Sequence, residues 1–390
     1  MSNRPNILFL PRWYPHRYDP MPGLFIQRQA EAVAAHCNVA VLYVHADEHA
    51  VNNYEIDFAD ENGVHVIRVY YRLTGVTIPL LSDVIKIFRF FKAHALGMKV
   101  LRSFQPDLVH VHVLTREGIV ALLNRILHGT PYVITEHWSR YLPASDAFHG
   151  FLRKAITRKV VRSAAAMITV SKPLKEAMLK FRLKNPNYFI VHNPVDTQRF
   201  RIGEHSLQGD RKRFIHISCF EDRPKNISGF LVAVKKLAER RNDFEACLIG
   251  DGPEYVIWKA RAEEMEIPIT IVSFSGLKED EELVEEIHSS DFLVLSSHYE
   301  TFGTVVIECL LCGIPVVATN VGIVSEVITE ENGIVIPPGN QEALENAINR
   351  MLDTCRSYDK QLIRSKVVSA FSNETIASEL LKIYTGAIRN

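Results

Sequence analysis

The sequence has no excess of charge of either sign over its whole length. Its 390 residues include 45 lysines and arginines and 45 aspartates and glutamates, so the formal net charge is zero. A protein that binds nucleic acid along its surface usually carries a clear positive excess. The overall balance therefore gives no indication of a nucleic-acid partner.

Long apolar runs and cysteines are also scarce. No stretch approaches the roughly 20 apolar residues that cross a bilayer, and the run at residues 7–10 is too short for the core of a secretory signal. Six cysteines in 390 residues are ordinary for a reducing compartment. Cys309 and Cys312 form a CxxC pair without a second pair nearby, so we interpret them as core residues. These features predict a cytoplasmic protein.

The two halves of the chain differ in charge. Residues 1–195 carry 24 basic and 14 acidic residues, whereas residues 196–390 carry 21 basic and 31 acidic residues. A chain of this length is more easily divided into two domains of ordinary size than folded as one. The asymmetry indicates that the two halves meet different partners.

The most informative stretch is residues 292–319, FLVLSSHYETFGTVVIECLLCGIPVVAT. Its apolar start is typical of a strand buried on both faces of a parallel sheet. A polar loop follows at 297–303, and the pattern then predicts a helix over 304–312. Gly313 ends this helix, and 315–319 is the next predicted strand.

Two carboxylates flank this loop and helix. Glu308 lies within the otherwise apolar helix, and a buried carboxylate is costly unless it is hydrogen-bonded. Thr304 is a plausible N-cap, Gly303 allows a ligand close to the backbone, and the first-turn N–H groups would attract a phosphate. With Glu300 on the other side, the arrangement fits a nucleotide-sugar. The alternative is that Glu308 is a core acid paired with an arginine.

Short apolar runs alternate with helical patterns through both halves, which predicts two doubly wound α/β domains facing a cleft. We place the domains at 1–195 and 196–372, with a polar linker over 197–212 and a last helix within 373–390. Residues 47–63 are predicted to be a polar surface excursion.

Ligands bind beyond the carboxyl ends of strands in such sheets, and several polar or glycine residues occupy these places. Gly23 precedes the first predicted helix, where it either admits a diphosphate or belongs to an ordinary strand–helix connection. His137 follows the strand predicted at 131–135. His110 and His112 are interpreted as polar residues at a strand end and not as metal ligands, since no third ligand follows at suitable spacing.

The segment 300–308, ETFGTVVIE, resembles the E-x7-E motif of the retaining glycosyltransferases of family 4. The serines before it and the run GIPVVAT after it also resemble that family. The resemblance is strong from residue 215 to 337 and weaker in the first half. It implies the GT-B fold, in which two Rossmann-like doubly wound parallel-sheet domains face a cleft, and a final helix that crosses back to the first domain.

The resemblance also implies a reaction and a site. A sugar would move from a nucleotide-diphosphate sugar to a glycan or polyprenyl-linked acceptor, with retention and without a metal or other cofactor. The expected catalytic residues are His137, which would lie beside the donor sugar, Glu300, which would bind sugar hydroxyls, and Lys225, which would grip the diphosphate. The expected donor-binding residues are Gly23, Arg223, Lys225, Gly250, Leu277, Glu300, Thr301, Phe302, Gly303, Thr304 and Glu308.

The sequence departs from the family pattern at one position. The family usually carries an arginine five residues before the lysine, where this chain has Phe220. Arg223 either supplies that guanidinium from elsewhere in the loop or is a solvated surface residue. The segment 57–60, DFAD, is wrongly spaced for a metal-binding DxD and is predicted to lie in a surface loop.

Other functions and partners remain open at this stage. A nucleotide-sugar epimerase or hydrolase would need an acid/base pair, for which only His137 is a candidate, and a non-catalytic donor-binding subunit is a further alternative. The basic helical patterns at 82–104 and 151–163 either pack on the sheet with a solvated basic face or lie on an anionic membrane. The positive first half favours a lipid-diphosphate or acidic glycan acceptor at the inner membrane face.

Overall fold

A computed structural model of the chain contains two sheets, each flanked by helices on both faces. It describes residues 4–73, 75, 78–114, 116–203 and 209–389. The strands of the first sheet are β1 Asn6–Pro11, β2 Asn38–Asp47, β3 Tyr54–Glu61, β4 Val64–Arg72, β5 Leu108–His112, β6 Tyr132–Glu136, β7 Ala166–Thr169 and β8 Tyr188–Ile190. Their order is β3-β4-β2-β1-β5-β6-β7-β8, and the pairs are parallel except for β3 with β4.

The second sheet is parallel throughout. Its strands are β9 Lys212–Ile217, β10 Phe244–Ile249, β11 Val272–Gly276, β12 Phe292–Leu295, β13 Val316–Thr319 and β14 Gly333–Ile336. Their order is β11-β10-β9-β12-β13-β14. The prediction of two doubly wound α/β domains is therefore confirmed.

Helices connect the strands of both sheets. They are α1 Leu24–Ala34, α2 Pro79–Val100, α3 Arg116–His128, α4 Phe151–Ser163, α5 Lys172–Lys180, α6 Asp222–Lys225, α7 Ile227–Ala238, α8 Tyr255–Glu264, α9 Asp280–His288, α10 Thr304–Leu311, α11 Val324–Val327, α12 Gln341–Thr354, α13 Lys360–Ser365 and α14 Asn373–Arg389. Short 3-10 turns follow β6 at 139–141 and 143–145. Within the described residues, none of the helices combines the length and the apolar character needed to cross a membrane.

Residues 47–63 lie largely at the surface, as predicted, but the surface loop predicted at 57–60 was wrong. Strand β2 continues to Asp47, and β3 pairs with β4 as an antiparallel edge strand. An edge strand is held by backbone bonds on one side only, and both faces of β3 meet water, since the consecutive residues Ile56 and Asp57 point to opposite faces and are both exposed. Asp57 and Asp60 thus lie on a strand and not in a loop. The polar sequence of this segment indicated that it is exposed, but it lacks the apolar run by which the buried strands were predicted.

The last helix lies against the first domain. Ile376, Leu380 and Tyr384 of α14 are buried in one apolar cluster with Ile26 and Ala30 of α1. The chain therefore returns to the first sheet after completing the second. The proposed domain limits stay predictions, and residues 204–208 of the predicted linker lie outside the described residues.

The carboxyl ends of the two sheets face each other. Ser171, which follows β7, donates through Oγ to the carbonyl of Thr301, which follows β12, at 2.6 Å. Lys172 N–H donates to Oε1 of Glu326 at 3.0 Å. Both contacts join the two domains, so the loops beyond the strands enclose a common cleft.

Candidate active site in the cleft

The first turn of α10 provides unpaired backbone donors. Gly303, with φ of 95°, is its N-cap and has no capping side chain, so the expectation that Thr304 caps the helix was wrong. Glycine takes this left-handed conformation without steric cost, and Thr304 becomes the first helical residue. Among the described residues, the N–H groups of Thr304 and Val305 donate to no other group. A helix N-terminus of this kind attracts a phosphate.

Lys225 and Glu300 form an ion pair beside this helix. Lys225 Nζ donates to Glu300 Oε1 at 2.5 Å, and Ser297 Oγ donates to the same oxygen at 2.9 Å. The side chains are 17% and 12% exposed. Because neighbouring strands β9 and β12 end at the same edge, two residues distant in sequence meet here.

The backbone of the lysine loop is fixed by the glutamate loop. Ser296 Oγ donates to the carbonyl of Lys225 at 3.0 Å, and His298 N–H donates to the carbonyl of Pro224 at 2.8 Å. Asn226, in left-handed conformation, caps α7 by accepting from Gly229 N–H at 3.2 Å. The ammonium group is thus presented from a rigid turn.

The ion pair keeps Lys225 charged. Burial alone would lower the pKa of Lys225, but the adjacent Glu300 carboxylate, with smaller contributions from Cys219 and Glu221, outweighs burial and raises the pKa above its ordinary value. The positive charge is therefore present at neutral pH. A cation in a site largely shielded from water can stabilise negative charge that develops on a leaving group.

Glu308 is buried on α10 and approached by an arginine of the first domain. Its Oε1 lies 3.8 Å from Arg28 Nη1 on α1, which is ion-pair distance but too long for a hydrogen bond. Burial raises the pKa of Glu308, with Arg28 acting against that shift. The alternative of a core acid paired with arginine thus has a named partner. Among the described residues, however, only the 3.8 Å approach of Arg28 meets this carboxylate, so it keeps capacity to accept hydrogen bonds.

Gly23 allows α1 to begin close to the preceding loop. Its φ is 74°, and a Cβ there would lie 2.2 Å from the carbonyl oxygen of Trp13. Any side chain would clash with this backbone. The close turn brings the Phe25 ring to 4.7 Å from the ring of His137, so Gly23 and His137 belong to one side of the cleft.

His137 is a neutral, buried imidazole. It is 5% exposed, and burial lowers its pKa to about 3. Its Nε2 lies 3.2 Å from Nδ1 of His112, while its Nδ1 has no hydrogen-bond partner among the described residues. The ring is therefore held from one side and has a free nitrogen for a ligand.

Glu136 fixes the backbone of the segment that carries His137, although it was not among the predicted site residues. Its Oε1 accepts from the N–H groups of His137 and Trp138 at 2.9 and 2.8 Å. Its Oε2 accepts from Leu114 N–H at 2.9 Å. Burial raises the pKa of this carboxyl group to about 7, although the three donors oppose the shift. The available signal was that residues 112 and 136–137 lie at or just after the ends of two predicted strands. In the structure these strands, β5 and β6, are parallel neighbours, and their carboxyl ends therefore bring the residues together.

The remaining predicted residues contribute differently. Arg223 Nη2 donates to the carbonyl of Ser145 at 3.0 Å, so its guanidinium bridges the two domains. Phe220 is fully buried, and its ring lies 4.9 Å from that of Tyr255. The position where the family carries arginine is therefore part of the core in this chain.

Other members of the predicted set lie around the same edge. Gly250 directly follows β10, and Leu277, 49% exposed, follows β11. Phe302 is 3% exposed, and its ring lies 6.1 Å from Phe371, so only its backbone can meet a ligand. Thr301 offers its carbonyl to Ser171. Within the described residues, no group of three histidine, cysteine or acidic side chains is placed to hold a metal ion.

Two family matches cover most of the chain. Residues 198–365 match the family described as glycosyl transferases group 1, and residues 22–194 match the one described as glycosyl transferase 4-like domain. Glycogen synthase of Mycobacterium tuberculosis is 24% identical to the chain over 302 residues, which cover 74% of this chain and 70% of that protein.

Solved structures of similar architecture extend over nearly the whole chain. Sucrose-phosphate synthase from Thermosynechococcus elongatus has a TM-score of 0.77 at 21% identity, covering 97% of this chain and 98% of that one. HepE of Anabaena, in complex with UDP and glucose, has a TM-score of 0.72 at 17% identity, covering 98% and 100%. Such identities establish the GT-B fold alone. Together with the two family matches, they show that the chain belongs to the group 1 glycosyltransferases.

Proposed function

We propose that the protein transfers a sugar from a nucleotide-diphosphate sugar to a glycan or lipid-linked acceptor, with retention at the anomeric carbon and without a metal. The observation that carries this proposal is the Lys225–Glu300 pair beside the unpaired N–H groups of α10. A diphosphate needs cations and N–H donors, and a sugar needs a carboxylate acceptor. Both requirements are met at one point of the cleft.

Each side chain has a role in this proposal. The diphosphate lies against the first turn of α10 and Lys225, and Glu308 accepts hydrogen bonds from the ribose hydroxyls. Glu300 accepts from hydroxyls of the transferred sugar. The base lies towards Gly250 and Leu277. The free Nδ1 of His137 meets the sugar from the first domain.

The chemical step requires charge stabilisation more than a strong base. As the bond from the anomeric carbon to the phosphate oxygen breaks, the nucleoside diphosphate takes the electron pair, and Lys225 stabilises the added charge. The acceptor hydroxyl attacks from the same face. Its proton passes to the departing phosphate oxygen, so the products are a glycoside and a nucleoside diphosphate.

A panel of UDP-, GDP- and ADP-sugars, read by thermal shift, tests the donor class. One donor is expected to raise the unfolding temperature, because a ligand that binds only the folded state stabilises it. NMR of the product is then expected to show the donor's anomeric configuration, with equal rates in the presence of EDTA. An inverted product, or conversion of donor to an isomer without acceptor, would contradict the proposal.

Replacement of Glu308 by alanine is expected to weaken donor binding by about tenfold or more, since a hydrogen bond to a charged group contributes about 1.5–3 kcal/mol. Calorimetric titration with the nucleoside diphosphate measures this. Arg28→Ala is expected to have a smaller effect, and the exposed Glu342→Ala on α12 none. If Glu308 acted only as the core partner of Arg28, Glu308→Ala and Arg28→Ala would weaken donor binding equally.

We also propose that the first domain contacts anionic membrane. Phe151 and Leu152 of α4 are 86% and 70% exposed, and the same helix carries Arg153, Lys154 and Lys159. Apolar side chains beside lysines and arginines are typical of helices that lie in the membrane interface. This surface would place a lipid-linked acceptor near the cleft.

Changing Phe151 and Leu152 together to serine is expected to weaken binding to phosphatidylglycerol-containing vesicles by about tenfold, because the membrane no longer buries these apolar groups. Cosedimentation at low salt measures it. The matched control changes Val256 and Ile257 of α8, which are 76% and 61% exposed, to serine. Equal losses in both variants, or no vesicle binding by the unaltered protein, would count against the membrane contact.

A further inference from the structure

A cavity of about 300 Å³ in the first domain is lined by four arginines. Arg12 follows β1, Arg116 begins α3, Arg140 lies in the turn after β6 and Arg153 is on α4. Four separate elements thus each contribute an arginine to the lining of one space. Lysines and arginines on protein surfaces usually spread apart, because like charges repel.

The positive charges of this cavity are poorly balanced. Arg12 lies 3.9 Å from Glu117. Among the described residues, no carboxylate lies within ion-pair distance of Arg116, Arg140 or Arg153. The carboxylate of Glu136 already accepts three backbone hydrogen bonds. The cavity therefore has cations in excess.

The guanidinium of Arg140 is oriented by an aromatic ring and is incompletely hydrogen-bonded. Its guanidinium carbon lies 3.4 Å from the centre of the Trp138 ring, and that ring packs edge-on against Trp13 at 5.3 Å. Its Nε is buried without a hydrogen-bond partner among the described residues. Burial lowers the pKa of Arg140; Tyr141 and Glu136 oppose this shift, and the nearby Arg153 and Arg12 add to it. A buried donor without an acceptor is costly, so Arg140 has hydrogen-bonding capacity that the described residues do not satisfy.

The cavity adjoins the proposed donor site through one segment of chain. His137 faces Phe25, Trp138 and Arg140 face the cavity, and the Ser145 carbonyl accepts from Arg223 of the donor loop. A group bound at Arg140 is thus within a few residues of the imidazole beside the donor sugar. This is the position expected for part of an acceptor.

We propose that the four-arginine cavity binds a phosphate or diphosphate group of the acceptor. The proposal rests on the proposed function, in which the donor lies against the second domain and the acceptor meets its sugar from the first. Arginine suits this task because its planar fork donates two parallel hydrogen bonds to a phosphate. The apolar part of the lining, Ile119, Ile156 and Val160, accommodates the organic part that carries the phosphate.

The test compares two soluble probes, farnesyl diphosphate and inorganic pyrophosphate, with the donor site saturated by nucleoside diphosphate. Calorimetric titration is expected to detect binding of farnesyl diphosphate to the full chain. The variant Arg140→Gln with Arg153→Gln is expected to bind it at least about tenfold more weakly, because two charge-assisted contacts are lost. Nucleoside diphosphate binding is expected to be unchanged.

The control variant removes two exposed positive charges outside the cavity, by Arg162→Gln at the end of α4 with Lys180→Gln at the end of α5. Its farnesyl diphosphate affinity is expected to equal that of the unaltered protein. Tighter binding of farnesyl diphosphate than of pyrophosphate supports a lipid-linked source, and equal binding supports a soluble phosphate. The proposal would be overturned if the cavity variant and the control variant had equal affinities for farnesyl diphosphate, or if the unaltered protein bound neither probe.

The donor site of the proposed function can be refuted independently of the arginine cavity. If nucleoside diphosphate does not bind to the unaltered protein, the donor site is refuted, while probe binding to the arginine cavity is still measured by the same titrations. Thermal unfolding of the double cavity variant verifies that its lost affinity does not reflect a lost fold. Arg153→Gln alone, which changes an exposed side chain, is expected to weaken farnesyl diphosphate binding as well.

Discussion

Replacing Lys225 by alanine is expected to lower kcat for sugar transfer by about 10²–10³, the range found when one group that stabilises a developing negative charge is removed. Lys225 is held in a rigid turn and keeps its proton through Glu300. The diphosphate gains charge only as the bond to the sugar breaks, so kcat is expected to fall more than donor affinity. Single-turnover measurements with saturating donor separate the two effects.

The loss of Lys225 also leaves Glu300 without its cation, and an unpaired buried carboxylate destabilises a fold. The double change Lys225→Ala with Glu300→Gln removes both charges and serves as the stability control, read by thermal unfolding. Lys259→Ala, at an exposed site on α8, is the control for charge. A Lys225→Ala enzyme that retains full kcat would remove this residue from the chemical step.

Replacing His137 by alanine is expected to reduce kcat by about 10²-fold, the lower end of the range for a group that moves or orients a proton, while donor affinity changes little. The pKa of about 3 keeps this imidazole neutral at any pH at which the enzyme is assayed. We therefore expect no inflection near pH 6.5 in the rate profile from His137. Such an inflection, lost in His137→Ala, would contradict a neutral role.

Two further variants define the role of His137. His112→Asn is expected to reproduce part of the kcat loss, because the hydrogen bond between the two rings, at 3.2 Å, orients the ring of His137. The exposed His128→Ala at the end of α3 is expected to behave like the unaltered enzyme. If His112→Asn leaves kcat unchanged, the ring is oriented by Phe25 and the surrounding packing alone.

The sequence was most informative where buried strands meet glycine-marked turns. The segment 292–319 was predicted as strand, loop, helix and strand, and the structure has β12, α10 and β13 within a few residues of those limits. Apolar runs and glycines are local signals, so no tertiary information is needed to read them. The edge strand β3 lacks such a signal, and its prediction failed.

Contacts between distant residues could be predicted only in part. Lys225 and Glu300 were assigned to one site through the family resemblance, but their direct ion pair depends on β9 and β12 being neighbours. The His112–His137 contact and the bonds of Glu136 likewise depend on the alignment of β5 with β6. The order and register of strands are properties of the whole sheet, and a single sequence does not contain them in readable form.

The chain passes between its domains twice, and the two passages run side by side. Val195 N–H donates to the carbonyl of Phe371 at 2.9 Å, just before α14 packs on α1. Two adjacent connections allow the domains to rotate about the line on which both lie, here called the seam, but resist rotation about other axes. Cleft closure would therefore swing about this seam, and a fluorophore attached after α14 would travel with the first domain.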